Sequence, residues 1–164
     1  MIEARWLFNL APSQIKVVVH AQSIIHSMVQ FEDGSIKAQM GLPDMKLPIQ
    51  YAMAFPQRLK NNFPRYTFDK PNQLSFDEPD VKTFRNLQLA KEAMQKGGNT
   101  PCVLNAANEI AVYAFLRNRI GFLEMTELIE KTLEKINYIA TPSLDDYFET
   151  DGEARNFAAS LIQL

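Results

Sequence analysis

The chain has 164 residues, 46% of them hydrophobic and 22% charged, which is typical of a globular protein and excludes general disorder. Seventeen basic and nineteen acidic side chains give a net charge of −2, so there is no basic footprint for nucleic acid. The single cysteine, Cys102, excludes an internal disulfide and suits a reducing compartment. No apolar run approaches the roughly 20 residues of a membrane helix, and Glu3 and Arg5 interrupt any signal peptide. These features predict a cytoplasmic protein.

The first predicted element is a helix over residues 1–10, because Ile2, Trp6 and Leu10 recur at helical spacing. It is predicted to end before Ala11-Pro12, since proline disfavours helical backbone in the residue that precedes it. No Ser, Thr, Asp or Asn precedes the helix as an N-cap. Two interpretations stay open: a frayed terminus, or a helix that continues upstream in a longer parent protein.

Three strand-like runs follow, over residues 15–20, 24–31 and 35–40, and they predict an antiparallel meander under the first helix. Asp33-Gly34 indicates a two-residue type I′ turn between the last two runs. With that turn Glu32 opposes Ser35, and the alternation of side chains assigns one face to the core. The face predicted to be buried carries Phe31, Ile36, Val29 and Ala38, and the polar face carries Gln30, Lys37, Met28, Gln39 and His26.

After a loop over residues 41–48, Pro48 is predicted in the first turn of a short helix that ends near Ala54, before Phe55-Pro56. Residues 55–81 contain Pro56, Pro64, Pro71 and Pro79 and predict an extended linker. The predicted fold class is therefore α+β: a helix on a small antiparallel or mixed sheet, a linker, and an all-α bundle.

The bundle is predicted over residues 82–164, with four or five helices whose apolar residues follow helical spacing. Thr100 is predicted to cap a helix that runs to about Arg119, and residues 122–137 form the next helix. Met125, Leu128, Ile129, Leu133 and Ile136 are expected to face the core. Asp151-Gly152 is expected to break the last helical segment.

The sequence contains no glycine-rich phosphate loop, no Cys/His metal spacing, no HExxH and no nucleophile elbow. His20 and His26 are six residues apart, which does not make a metal pair on strands, and a lone histidine on a strand is usually a structural hydrogen-bonding group. Ser23, His26 and Ser27 could form a serine–base pair, but no acid is placed to orient the histidine. The residues alone define no reaction.

Five segments together are similar to those of the 1-deoxy-D-xylulose 5-phosphate reductoisomerase family, and the likeness runs along essentially the whole chain. One departure is Ala21, where the family usually has proline, and it affects only the local loop conformation. The segments are Ile2-Glu3-Ala4-Arg5-Trp6-Leu7-Phe8-Asn9, His20-Ala21-Gln22-Ser23-Ile24-Ile25-His26-Ser27-Met28-Val29, Glu32-Asp33-Gly34-Ser35, Pro43-Asp44-Met45 and Leu104-Asn105-Ala106-Ala107-Asn108-Glu109-Ile110-Ala111.

The resemblance implies an enzyme of the non-mevalonate isoprenoid pathway. It would convert the sugar phosphate 1-deoxy-D-xylulose 5-phosphate to 2-C-methyl-D-erythritol 4-phosphate, with NADPH as reductant and Mg²⁺ or Mn²⁺ as cofactor. Family members are homodimers with a nucleotide domain, a catalytic domain, a linker and a helical domain. The chain is then the later part of such an enzyme: residues 1–54 end the catalytic domain, 55–81 are the linker and 82–164 the helical domain.

The resemblance also implies that the family's nucleotide domain, metal-ligating carboxylates and active-site flap lie upstream. The chain alone is therefore expected to be catalytically incomplete and to bind neither metal nor NADPH tightly. An alternative stays open, in which the chain is a self-standing interaction or dimerisation module without catalysis.

The site residues implied by the resemblance are few. Ser23 and His26 match positions at or near the family's active site, and Pro43 and Met45 match the loop that closes over substrate and nicotinamide. Glu3 lies one helical turn from a residue that binds the metal in the family. It is expected to contact that residue without binding the metal itself.

A further family signature lies in the predicted helical domain, at Asn105, Asn108 and Glu109. These side chains lie off the apolar stripe of their helix, so a structural role in capping or interhelical hydrogen bonds is predicted for them.

Overall fold

The computed structural model describes residues 1–69 and 73–162 of the chain, so Pro71 of the predicted linker and the last two residues of the predicted bundle lie outside the described residues. The structure confirms the α+β class, with one small antiparallel sheet and six α-helices in the described part. In chain order the elements are α1 (Ile2–Phe8), a 3₁₀ turn (Pro12–Gln14), β1 (Ile25–Gln30), β2 (Ile36–Met40), α2 (Lys46–Ala54), α3 (Arg85–Lys96), α4 (Thr100–Leu116), α5 (Phe122–Lys135) and α6 (Leu144–Ser160).

The chain divides into two compact units. The helical unit contains residues 1–17 and 80–162, and the hairpin unit contains residues 18–69 and 73–79. Within the described residues, no helix is long and apolar enough to cross a membrane.

The core of the helical unit is formed by α3 to α6, as the predicted four or five helices require. Alanines of α4 and α6 are fully buried, and their small side chains let the two helices approach closely. From α5, Met125, Leu128 and Ile129 are buried as predicted, and Ile136 follows just after the helix. Because burying apolar surface is the main favourable term in folding, this is where the stability of the unit lies.

The predicted break at Asp151-Gly152 is wrong, because α6 runs through both residues to Ser160. Ser143 caps this helix: its Oγ accepts from the Asp146 backbone N–H at 3.2 Å. A glycine inside a helix costs about 1 kcal/mol relative to alanine. The buried residues on either side, Thr150 and Ala154, offset that cost by packing into the core.

The predicted cap of α4 is also wrong, since the N-cap is Asn99 and Thr100 already belongs to the helix. The side chain of Asn99 does not cap; it is 1% exposed and ties three segments together. Its Nδ2 donates to the Asn137 carbonyl at 2.9 Å and to Thr150 Oγ1 at 3.2 Å, and its Oδ1 accepts from the Ile139 N–H at 3.0 Å.

The predicted first helix is confirmed as α1, which ends at Asn9 in the left-handed conformation with φ 52°. Arg5 links α1 to the bundle by donating from Nη1 to the carbonyl of Met94 in the last turn of α3. The last carbonyls of a helix have no partner within the helix, and a positive charge at this end is favourable. The contact therefore holds α1 on the helical unit.

The predicted strand over residues 15–20 is wrong. The described part of the chain has one two-stranded sheet, β1 with β2, and within 15–20 only Val19 pairs, in an isolated antiparallel bridge to Asp77. The two backbone bonds of the bridge measure 2.8 and 2.9 Å. A β-branched run needs a partner strand to form a ladder, and the described residues supply a partner only at Asp77.

The predicted hairpin register is wrong by one residue. The pairs are Gln30 with Ile36, Val29 with Lys37 and Met28 with Ala38. The loop has three residues instead of two: the Gly34 N–H donates to the Phe31 carbonyl at 2.9 Å, and Gly34 has φ 85°. A type I turn followed by a left-handed glycine is the next commonest hairpin loop after the primed turns, and the Asp-Gly signal fits both.

The hairpin has no buried face in this structure, so the predicted core face is wrong as well. Phe31 is 45% exposed, and Val29 and Ile36 are each 58% exposed. The shifted register also breaks up the apolar face, because Val29 now lies opposite Lys37. The Lys37 ammonium lies 5.5 Å from the centre of the Phe31 ring, a contact between a polar and an apolar side chain on one face.

Replacing Asn99 should destabilise the helical unit strongly. We expect Asn99→Ala to lower the free energy of unfolding by about 2–4 kcal/mol, because it removes three bonds and leaves buried partners unpaired. Asn105→Ala is the matched control: it removes one exposed bond to Glu109 Oε1 and should cost less than about 0.5 kcal/mol. Urea melts followed by circular dichroism measure both, and equal losses would contradict the assigned role of Asn99.

The exposure of the hairpin also predicts which of two substitutions destabilises the fold more. Phe31→Ala should cost at most about 1 kcal/mol, since Phe31 is half exposed, whereas Ile129→Ala at a 2% exposed site should cost about 2–5 kcal/mol. The same melts test this, and a larger loss for Phe31→Ala would show that the hairpin is covered in solution.

Candidate functional site

Three of the four residues assigned to the active site by sequence line one pocket of the hairpin unit. The pocket has a volume of about 480 Å³, and His26, Pro43 and Met45 lie in its wall. Ser27 and Gly41 lie beside them. The wall combines apolar side chains with a few polar groups, which is the usual composition of a small-molecule site. We call it the candidate pocket.

A β-bulge places His26 in this pocket. Ile25 pairs with Met40 and Ser27 with Gln39, so the intervening His26 has no partner on β2. A bulge bends its strand and changes the direction of a side chain, and bulges are frequent beside active sites. The sequence placed His26 on the polar face beyond the paired residues, but it gave no sign of the bulge.

A hydrogen bond to Gly41 selects the tautomer of His26. The ring Nε2 lies 3.2 Å from the Gly41 carbonyl oxygen. Because a carbonyl can only accept, Nε2 must carry the proton, and in the neutral ring Nδ1 is then the acceptor. In this tautomer the ring has one nitrogen, Nδ1, that can accept a hydrogen bond from a ligand.

Asp44 shapes the loop that carries Pro43 and Met45. Its N–H donates to the Leu42 carbonyl at 2.8 Å, and its Oδ1 accepts from the Lys46 N–H at 2.9 Å. The second bond is an Asx turn, which leads the chain directly into α2. Met45 is the N-cap residue of α2 and is 69% exposed, so its thioether is available to a ligand.

Ser23 and Glu3 are not among the residues that line the candidate pocket. Ser23 has φ 50° and forms a turn in which its N–H donates to the His20 carbonyl at 3.0 Å. A serine in the left-handed region is strained by about 1 kcal/mol or more, and such strain is concentrated near functional sites. Glu3 lies in the first turn of α1 in the helical unit, with an exposed side chain.

His20 makes structural contacts, as the sequence analysis expected of a lone histidine. Its Nδ1 donates to the Ser75 carbonyl at 2.8 Å, and its ring stacks on Phe76 with centroids 4.7 Å apart. Gln22 binds the same serine from the side: its Nε2 donates to Ser75 Oγ at 2.9 Å. These contacts fix the chain that precedes β1.

The signature residues of α4 form a link between helices. Glu109 accepts from Asn105 within α4 at 3.2 Å and forms an ion pair with Arg155 of α6 at 2.8 Å. The Arg155 bond and then the Asn105 bond lower the pKa of Glu109 below its usual value. Arg155 also pairs with Asp151 at 2.7 Å. Arg155 was missed by the sequence analysis, although its i, i+4 spacing from Asp151 is a recognisable signal.

The described residues do not form a metal site by themselves. Within residues 1–69 and 73–162, no three His, Cys, Asp or Glu side chains converge on a point that could hold a metal ion. Mg²⁺ prefers octahedral oxygen ligands at short range, and the candidate pocket offers only the Asp44 carboxylate, which is already bonded to the Lys46 N–H. The residues present therefore do not fit a divalent metal.

Comparison with known proteins gives the context of this pocket. A family model described as DXP reductoisomerase C-terminal domain matches residues 40–157. The 1-deoxy-D-xylulose 5-phosphate reductoisomerases of Bacteroides thetaiotaomicron and Porphyromonas gingivalis are 59% and 51% identical to the chain over 162 residues. In both cases the match covers 99% of this chain and 42% of the relative, so the chain spans less than half the length of these relatives.

Solved structures agree with these relatives. The 1-deoxy-D-xylulose 5-phosphate reductoisomerase of Zymomonas mobilis in complex with NADPH matches with a TM-score of 0.88 at 47% identity, over 98% of this chain and 43% of that one. A reductoisomerase in complex with NADPH, fosmidomycin and magnesium matches with a TM-score of 0.86 at 34% identity, over 98% and 41%. The family model covers well over half of the sequence, and the chain therefore belongs to the DXP reductoisomerase C-terminal domain family.

Proposed function

We propose that this chain supplies the C-terminal part of a 1-deoxy-D-xylulose 5-phosphate reductoisomerase and is inactive alone. The observation that carries the proposal is the match of 98% of the chain to a reductoisomerase solved with NADPH, fosmidomycin and magnesium. The proposed reaction converts 1-deoxy-D-xylulose 5-phosphate to 2-C-methyl-D-erythritol 4-phosphate in the cytoplasm. The chain covers 42% of its relatives, so the remaining machinery belongs to the part of those enzymes that it does not span.

Within such an enzyme, the candidate pocket would form one wall of the active site. His26 presents Nδ1 as an acceptor for a substrate hydroxyl, because its Nε2–H is held by the Gly41 carbonyl. Pro43 and Met45 offer apolar surface suited to the face of a nicotinamide ring. NADPH would supply the hydride, while these residues would position the reactants and exclude water.

Ser23 and Glu3 are proposed in supporting roles. The strained turn at Ser23 precedes β1 and sets how the strand enters the bulge at His26. Glu3 would support a metal ligand of the complete enzyme from the exposed face of α1. The described residues alone fit neither Mg²⁺ nor Mn²⁺.

The domain boundaries remain a proposal: residues 1–54 as the end of the catalytic domain, 55–81 as the linker and 82–164 as the helical domain. In support, the described residues between α2 and α3 contain no helix and no strand beyond the bridge at Asp77.

The reaction is tested with a chimera in which this chain replaces the aligned C-terminal 42% of the Bacteroides thetaiotaomicron enzyme. We expect the chimera to oxidise NADPH when 1-deoxy-D-xylulose 5-phosphate and Mg²⁺ are added, and the chain alone to show no turnover. A folded chimera without turnover would contradict the proposal, as would turnover by the chain alone.

Two replacements of His26 in the chimera separate chemistry from structure. His26→Gln keeps an N–H donor for the Gly41 carbonyl but has no basic nitrogen, whereas His26→Ala loses both. If Nδ1 contacts the substrate, kcat/KM falls about 100-fold in both variants. If kcat/KM falls only in His26→Ala, the histidine acts only by its hydrogen bond to the Gly41 carbonyl. The control is Lys131→Gln on α5, an exposed side chain outside the pocket lining, which should leave kcat/KM within about twofold.

We also propose that the chain forms a homodimer through the hairpin. Its support is the exposure of Val29 and Ile36, together with outer edges of β1 and β2 that no strand covers among the described residues. Such edges pair readily with a second copy related by a two-fold axis.

Light scattering at high micromolar concentration should give about twice the chain mass of 18.7 kDa. Val29→Lys should shift the mass to that of a monomer, because it places a charge in the proposed interface. Val112→Lys on α4 is the matched control and should leave the mass unchanged. If the unaltered chain has the mass of a monomer, the proposed homodimer is wrong.

A further inference from the structure

A second cavity of about 520 Å³ lies behind the loop of the candidate pocket, within the same hairpin unit. We call it the rear cavity. Gly41, Leu42, Asp44 and Leu47 line both cavities. Since His26, Pro43 and Met45 line only the candidate pocket, the segment 41–47 is the partition between the two.

The rear cavity has an aromatic wall with one positive group. Phe63, Tyr66 and Phe68 line it, and the rings of Tyr66 and Phe68 meet edge to face with centroids 5.0 Å apart. Such rings favour a flat apolar ligand, which stacks or meets them edge-on. Its volume lies within the range of about 300–1,000 Å³ that is usual for small-molecule sites.

Arg65 lies in this wall with a fixed orientation. Its Nη2 donates to the Asn61 carbonyl at 2.8 Å, and its Nη1 donates to the Phe63 carbonyl. Asn61 is anchored in turn by the Gln50 side chain of α2, whose Oε1 accepts from Asn61 Nδ2 at 2.5 Å. Each Nη atom keeps one further N–H, and these N–H groups can donate to the oxygens of a carboxylate.

The acidic group of the cavity does not oppose an anion strongly. The Asp44 carboxylate accepts from the Lys46 N–H, and its second oxygen lies 3.9 Å from the Lys46 ammonium. Its charge is thus compensated locally, whereas no carboxylate pairs with Arg65 among the residues that line the cavity and are described here. Arg65 is therefore the charged group of the wall that an anionic ligand would contact.

We propose that the rear cavity is a binding site for a flat aromatic carboxylate, and that its occupation moves the segment 41–47 and changes the position of Met45. The segment is suited to this role because Leu42 and Leu47 reach both cavities. A ligand packed against these two leucines favours one loop position over others, which is the requirement for coupling between two sites. The inference does not rest on the proposed function, because it concerns binding to the chain itself.

The test uses the full chain labelled with ¹³C at the methionine methyl groups and titrated with 1-naphthoate. Met40 lines only the rear cavity and Met45 only the candidate pocket, so their signals report occupation and coupling separately. Met94 and Met125 are buried in the helical unit and serve as internal references. We expect saturable shifts of Met40 and Met45 and none of the references.

The charge is tested in two independent ways. Arg65→Gln should weaken naphthoate binding about tenfold, and the neutral analogue 1-naphthalenemethanol should bind the unaltered chain about tenfold more weakly than naphthoate. Arg58→Gln is the control, since Arg58 stacks on Tyr51 at 3.9 Å and does not line the cavity.

Each contrary result overturns part of the proposal. If Met40 shows no saturable shift, the rear cavity is not a binding site for 1-naphthoate. If Met40 shifts and Met45 does not, binding is not coupled to the candidate pocket. Equal affinity for naphthoate and its neutral analogue removes the carboxylate specificity, whether or not Arg65→Gln folds.

Discussion

The backbone of Gly41 is the constraint on which the candidate pocket depends. Its N–H donates to the Ile24 carbonyl at 2.9 Å, and its carbonyl accepts from His26 Nε2 at 3.2 Å. One bond runs to Ile24, just before β1, and the other runs to His26, the bulged residue itself. One residue therefore sets the direction of the His26 ring and the point from which the 41–47 segment leaves the hairpin.

This dependence explains why the pocket residues come from two separate motifs. His26 follows Ser23 in the segment that enters β1, whereas Pro43 and Met45 follow β2. The antiparallel pairing of β1 with β2 returns the chain to the bulge, and the Asx turn at Asp44 then leads it into α2. The geometry of the site is thus a property of the hairpin and its two ends, and the helical unit has a separate core around α4.

The sequence predicted the elements whose signal is strong and local. The bounds of α1, α2 and α5 followed from apolar spacing and from Pro56, and the two strands of the hairpin followed from alternation. The register of the hairpin could not be predicted, because Asp33-Gly34 is compatible with both a two-residue and a three-residue loop. A register shift of one residue moves the side chains of a strand to the opposite face of the sheet. The predicted core face was therefore wrong as well.

Other errors had tertiary causes. Residues 15–20 have strand composition, but a partner that lies 58 residues further on at Asp77 cannot be read from local pattern. Gly152 has the propensity of a helix breaker, and the burial of Thr150 and Ala154 overrides it. Of the site, the resemblance supplied the residue names, and the structure supplied the bulge, the contact of His26 Nε2 with the Gly41 carbonyl and the role of Gly41. Neither the bulge nor the tautomer of His26 can be predicted from a single sequence, because each depends on a backbone contact across the hairpin.

We propose that the candidate pocket faces the nicotinamide of NADPH in a complete reductoisomerase. The most direct test is a nuclear Overhauser measurement on the Bacteroides thetaiotaomicron chimera, labelled at the methionine methyl groups and saturated with NADPH. With this placement we expect a cross-peak between the Met45 methyl group and the nicotinamide ring protons, with none from Met94. Bound NADPH whose nicotinamide shows no contact with Met45 would contradict it.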